Sequence, residues 1–216
     1  MFSSIDRHGR YAYANQPRIA TWNLARLAET LLPLFADNEK QAIAQAEEVL
    51  GGFAPAFEAA FVDGMCRKLG LAGTAGDDLA LGQDFLNLLA ANAVDFTLAF
   101  RRLADAAGDP GDEQPVRSLV GAGFDAWAAR WRLRLATETF DLPARRAMMR
   151  AANPAFIPRN HRIEAVIAAA VERDDFAPFE ELLAVLGRPF DDQPGFAHYM
   201  DPPEEHERVC QTFCGT

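Results

Sequence analysis

The sequence predicts an all-α fold, a compact multi-helix unit with irregular segments at its N-terminal and C-terminal ends. Three observations carry this prediction. Apolar residues recur at three- and four-residue steps almost throughout the 216 residues, which is the helical period. Strictly alternating runs of Val, Ile and Thr, the mark of a half-buried strand, are missing. Glycine, proline and asparagine fall mostly between the apolar stripes, where they start and stop helices.

Pro17, a favoured first helical residue, opens a helix carrying Ile19, Trp22, Leu27, Leu31 and Leu34. Asp37-Asn38 offers a cap for the next, with Ile43, Ala46, Val49 and Leu50 on its stripe and a stop expected at Gly51-Gly52. Phe53, Phe57, Phe61 and Met65 continue as another helix, ending near Gly70. Residues 73–78 read as a loop. Phe85, Leu88, Leu89, Ala93, Phe96 and Phe100 form one strong stripe. Residues 107–114, with a Gly-Asp-Pro-Gly-Asp core, read as the clearest linker. A helix is expected from about Val116 to Thr137, through Leu119, Phe124, Trp127, Trp131 and Leu135. Leu142-Pro143 opens another that ends near Ala151-Ala152. Asn-Pro and then Pro158 make residues 153–160 irregular. Two helices follow, about His161–Glu172 and Phe176–Leu186, and then a proline-rich surface strap over 187–203. Pro202-Pro203 and the acids Glu204, Glu205 and Glu207 suit the start of a last helix that carries Cys210 and ends near Phe213. The organisation expected is a loop over 1–16, a helical lobe over 17–200 and a tail over 201–216.

The chain is 50% hydrophobic, enough for a sizeable core, and carries a net charge of −10. A nucleic-acid binder needs a basic face, so this balance disfavours nucleic acid, and anionic membrane likewise. The clusters Arg101-Arg102, Arg130–Arg134 and Arg145-Arg146 lie on expected helices and read as solvated faces. No apolar run in the sequence reading reaches bilayer length, and a cytoplasmic location is expected. Three cysteines make no disulfide framework and fit a reducing compartment. Cys66 sits in an apolar stretch as a small buried side chain.

Three segments could carry chemistry. In the first, Gly9 permits a tight turn, Arg10 supplies a planar five-donor fork for carboxylate or phosphate, and Tyr11 and Tyr13 bring amphipathic rings suited to half-burial. The structural alternative is that Arg10 pairs with an acid and the tyrosines pack. Asp6 and His8 lie two apart with no nucleophile placed beside them. The second segment, Asn153–Asn160, reads as a buried brace, with Arg159 clamping carbonyls at a helix C-terminus. In the third, His206, Cys210 and Cys214 recur every four residues, one face of a helix, but fall short of the four ligands of a structural zinc site.

Ser3-Ser4-Ile5-Asp6, Gly9-Arg10-Tyr11-Ala12-Tyr13, Asn15-Gln16-Pro17 and Trp22-Asn23-Leu24, with Asn153-Pro154-Ala155-Phe156-Ile157-Pro158-Arg159-Asn160 and the final Phe213-Cys214-Gly215-Thr216, resemble the SelO (selenoprotein O) family of kinase-like protein adenylyltransferases. The resemblance implies AMP transfer from ATP to protein Ser, Thr or Tyr hydroxyls on an atypical protein-kinase fold with bound Mg²⁺. It makes this chain the C-terminal helical lobe. The family's nucleotide lysine, glycine-rich loop, catalytic Asp-Asn and Asp-Tyr-Gly metal motif precede the Gly-Arg-Tyr segment and do not occur in the sequence. Without them the chain is expected to bind neither ATP nor Mg²⁺ and to be inactive alone. Arg10, Tyr11 and Tyr13 fall where kinases present their substrate platform. Cys214, third from the end, matches the position of selenocysteine or cysteine in the family and is a redox candidate with Cys210. The expected partners are the missing N-terminal catalytic half, a second copy through an exposed lobe face, and protein substrates of the full-length protein. An apolar patch is expected on the N-terminal loop and the helix from Pro17. The alternative is an independent, non-catalytic all-α interaction domain.

Overall fold

The computed structural model describes residues 6, 8–10, 12–73 and 76–212, and among them it contains ten α-helices, four short 3-10 turns and no strand. The all-α prediction holds. The chain divides into unit 1, residues 1–61 with 209–216, and unit 2, residues 62–208.

Unit 1 is built on α1 (Gln16–Phe35) and α2 (Glu39–Gly51). Pro17 lies in the first turn of α1, and Asn38 caps α2 by accepting from the Gln41 N–H at 3.1 Å. The two helices share a groove lined by Ala25, Ala28 and Leu32 of α1 and by Ile43, Ala46 and Leu50 of α2. Ala25, Ala28 and Ala46 put small side chains into that groove. α3 (Phe53–Leu69) follows Gly52, whose backbone stays right-handed helical, so no sharp stop occurs at Gly51-Gly52. The resulting 31-residue stretch, Glu39–Leu69, is long and apolar enough to cross a membrane by length and composition. This corrects the sequence reading of apolar runs, which divides the stretch at its glycines. Its last turns are buried in protein, at Met65, Cys66 and Leu69.

Unit 2 holds a core in which aromatic rings interlock. Phe85 of α4 (Asp78–Ala91) meets Phe100 of α5 (Phe96–Gly108) edge-on at 5.0 Å. It also stacks on Trp127 of α7 (Phe124–Leu135) at 4.3 Å, and Trp127 stacks on Trp131 at 5.5 Å. Both indoles find partners, Trp127 Nε1 donating to Leu81 O at 3.0 Å and Trp131 Nε1 to Leu69 O at 2.8 Å. A second cluster joins Ala155, Phe156, Val166, Leu182, Val185 and Tyr199. It lies on α9 (Asn160–Arg173), α10 (Ala177–Leu186) and the flanking segments. The Tyr199 hydroxyl donates to Glu181 at 2.6 Å, and burial together with that bond pushes its pKa up to about 12.

Several boundaries differ from the sequence reading. The stripe from Phe85 to Phe100 is broken at Ala93, whose φ is +52°, and α5 restarts behind Asp95, which accepts from the Leu98 N–H at 2.8 Å. The expected helix over 116–137 is two helices, α6 (Glu113–Val120) and α7. Gly121 and Gly123 separate them at φ +75° and +90°, and a Cβ on Gly123 would lie 2.8 Å from Leu88 Cδ1. The expected linker is a tight corner instead: Asp109 caps Gly111 at 2.8 Å, and α5 packs on α6. The strap over 187–203 is partly buried. Pro189 O accepts from the Ala155 and Phe156 N–H groups at 2.8 and 3.1 Å, and Tyr199 packs into the second cluster.

Candidate functional site

The N-terminal loop is assembled by its own backbone. Asp6 Oδ1 accepts from the Arg10 N–H at 2.8 Å, and Gly9, at φ +63°, turns the chain. Asn15 Nδ2 donates to Gly9 O at 2.7 Å, tying the loop to the 3-10 turn Tyr13–Asn15 that leads into α1. Arg10 then lies over Trp22, its Cζ 4.4 Å from the ring centroid, and reaches Asn23 Oδ1 at 3.5 Å. Arg26 approaches the same indole at 5.5 Å and pairs with Glu29 at 2.5 Å. A planar cation on a π face is the favoured use of a guanidinium beside Trp. The loop thus brings Arg10 of one sequence motif against Trp22 and Asn23 of another. Tyr13 does not join them. It is 83% exposed, against the half-burial its ring suggested, on a turn that packs along α1. Tyr11 lies outside the described residues. His8 is exposed, and Asp6 serves as a turn cap.

The Asn153–Asn160 brace is confirmed as buried, with Asn153, Ala155, Phe156 and Arg159 all inside. Asn153 donates to Lys68 O at 3.0 Å and accepts from Lys68 Nζ at 3.1 Å. Lys68 Nζ also donates to Ala152 O at 2.8 Å, at the end of α8 (Leu142–Ala152), and burial pushes its pKa down. Arg159 does not clamp a helix C-terminus. It grips Asp95 with two bonds, 2.8 and 3.1 Å, at the N-terminus of α5. Burial pushes the Asp95 carboxyl up, but the bonds from Arg159 and Leu98 outweigh it and hold the pKa below the usual carboxylate range.

The arginine clusters are corrected in part: Arg102 and Arg130 are exposed as expected, whereas Arg101, Arg134 and Arg145 turn inward. Arg101 is buried and pairs with Asp192 at 2.6 Å while donating to the Arg150 and Asn153 carbonyls. Arg134 meets buried Asp78 at 2.7 Å and Glu138 at 2.6 Å. Arg145 is buried and donates to Leu135 O at 3.0 Å. Arg150 bridges Asp105 and Asp192. Sequence reading missed these residues because it weighed clusters by charge alone. The available signal was position, since Arg101 falls within the apolar face of α5.

The tail departs from expectation. Among the described residues of the tail, the 3-10 turn Glu205–Glu207 is the one helical element, closed by a reciprocal capping box between Glu204 and Glu207, and residues 208–212 are irregular. Cys210 is exposed, Cys66 is buried, and Cys214 lies outside the described residues. Among the described residues no group of three or more His, Cys, Asp or Glu could hold a metal ion.

A protein family described as Protein adenylyltransferase SelO matches residues 2–187. A protein nucleotidyltransferase YdiU of Methylorubrum extorquens is 60% identical over 223 residues, covering 100% of this chain and 45% of its own length. The YdiU proteins of a Rhodopseudomonas palustris strain and a Bradyrhizobium strain are 58% and 61% identical, each over 100% of this chain and 44% of the relative. The chain spans less than half the length of the curated relatives it matches.

Proposed function

The chain belongs to the SelO family of protein adenylyltransferases, and we propose that it forms the C-terminal helical part of such an enzyme, which transfers AMP from ATP to protein hydroxyls. The observation that carries this reading is the alignment of the whole chain with under half of each relative, at 58–61% identity. The nucleotide and Mg²⁺ of that chemistry do not fit the residues described. The acids that lie inside, Asp78, Asp95 and Asp105, are each answered by arginine, and no acidic cluster is left to hold a metal. The chain therefore supplies structure and a protein-facing surface, and catalysis belongs to the rest of the polypeptide. Arg10 and Tyr13, with Tyr11, are the groups we assign to contacting protein substrates. Cys210 and Cys214 remain the redox candidates, in a cytoplasmic protein.

Calorimetry of the chain with ATP and Mg²⁺ tests the reading. No binding tighter than millimolar and no self-adenylylation are expected, and micromolar affinity would overturn the assignment. Co-expression with the portion of the Methylorubrum relative outside the aligned span should restore AMP incorporation into protein. An independent interaction domain is the second reading, favoured by the exposed Trp22, Leu27, Leu34 and Val49 of unit 1. A stable, monodisperse monomer that ignores that partner would support it.

A further inference from the structure

We infer that α1 carries a docking seam, Leu24, Leu27, Leu31 and Leu34, for a helix in the portion of the SelO polypeptide that lies outside this chain's span. The inference rests on the functional reading above and specifies the surface it requires. The spacing of the four leucines is three, four, three, the a/d pattern of a helix seated against another helix. At 100° per residue they occupy one stripe, and Ala25, Ala28 and Leu32, which line the groove shared with α2, lie on a different side. One face of α1 is therefore already used, and the leucine stripe is a second apolar face. A helix apolar on two sides belongs in a core. Yet Leu24, Leu27 and Leu34 are 37%, 54% and 80% exposed, and Ile19 is the one buried residue of this 20-residue helix.

The occupant follows from length and area. Relatives that align with every part of this chain have 45% of their length accounted for by it, so more than half of the polypeptide is available to cover α1. A second copy fits less well. The seam is about 15 Å long, and two such seams together bury less than the roughly 1,000 Å² that a stable association needs. A segment of the same polypeptide docks at high effective concentration and can use a short seam. The three-four spacing selects a helix, whose ridges fit between the leucines.

The test is co-expression of this chain with the unaligned portion of the Methylorubrum relative, read by co-purification and by competition for the complex. The double variant Leu27→Glu/Leu34→Glu should weaken the complex at least tenfold. Leu183→Glu, 61% exposed on α10, should leave it unchanged. Circular dichroism of each variant checks the fold, and Leu34→Glu alone, at the most exposed position, serves if the double variant does not fold. A double variant that binds as tightly as the unmodified chain overturns the seam and leaves the functional reading standing. No complex with the unmodified chain overturns both. Loss of self-association in the double variant, with the two-piece complex intact, assigns the seam to a second copy and also overturns the inference.

Discussion

α1 of unit 1 and α7 of unit 2 both carry apolar stripes with tryptophan, and they end in opposite surroundings. In α7, Phe124, Trp127, Ala128, Trp131 and Leu135 are all buried and both indole N–H groups are satisfied. In α1, Ile19 alone is buried and Trp22 stays 48% exposed under two arginines. The difference lies in what surrounds them. Unit 2 closes aromatic side chains from α4, α5 and α7 on one another, whereas among the described residues of unit 1 α1 packs chiefly on α2 and a short turn. An apolar pattern states that a face will be covered, and the covering must come from elsewhere when the local chain does not supply it.

Cysteine labelling gives the largest contrast between the units. Cys210, exposed in unit 1, should react with iodoacetamide a hundredfold or more faster than Cys66, on the ground that a core thiol reacts only through openings of about 3 kcal/mol or more. Burial also pushes the Cys66 thiol pKa up, which further lowers its thiolate fraction. Equal labelling by mass spectrometry would mean that unit 2 opens as readily as unit 1.

Truncation of the cores comes next. Trp131→Ala should destabilise the protein by roughly 3–5 kcal/mol in denaturant titration, through cavity formation and the orphaned Leu69 carbonyl. Leu34→Ala should fall within about 0.5 kcal/mol of zero. Comparable losses at both sites would erase the distinction between the units.

Ion pairs sharpen the comparison on the same scale. Arg159→Ala leaves Asp95 without its two bonds at a largely buried site, and a loss of about 3 kcal/mol is expected. Arg26→Ala, in an exposed pair with Glu29, should cost no more than about 0.5 kcal/mol. Chemical denaturation of the two variants decides it.

The smallest effect is on acid stability, and it belongs to unit 2. Burial, with Arg162 and Arg159 nearby and only partly offset by Glu207, pushes the His161 pKa below its ordinary 6.5. Its protonation favours the unfolded chain, so its contribution is complete above pH 6.5 and is lost as the pH falls toward the lowered folded value. Partial desolvation pushes the Asp95 and Asp192 carboxyls up, but their arginines outweigh it and hold both below 3.8. Their contribution is present above that value and disappears as the pH falls through the folded pKa values. Denaturation midpoints should therefore decline in two steps on acidification, and His161→Phe should remove the upper one. A midpoint that rises between pH 7 and 5 would reverse the sign of this assignment.

Much of the candidate loop is legible in the sequence. Gly9 reads as a turn and adopts a positive φ, and the polar Asn153–Asn160 segment reads as a brace and is largely buried. The pairing of Arg10 with Trp22 is not legible there, because they lie twelve positions apart and the loop turn brings them together. The brace's true partner, Asp95, lies 64 residues away from Arg159.

The sequence by itself determined most of the helices, since period, caps and proline positions act within a few residues, as at Pro17, Asn38 and Pro143. It also determined the family, through three motifs in order. Tertiary structure alone decided which of those helices break and which charges are buried. Ala93 turns left-handed where α4 gives way to α5, and Gly123 where Leu88 leaves no room for a Cβ. Arg101 enters the core because Asp192 and two carbonyls, distant in sequence, meet its guanidinium there. Burial of a charge depends on partners brought together by folding, and a local pattern of residues carries no record of where those partners will be.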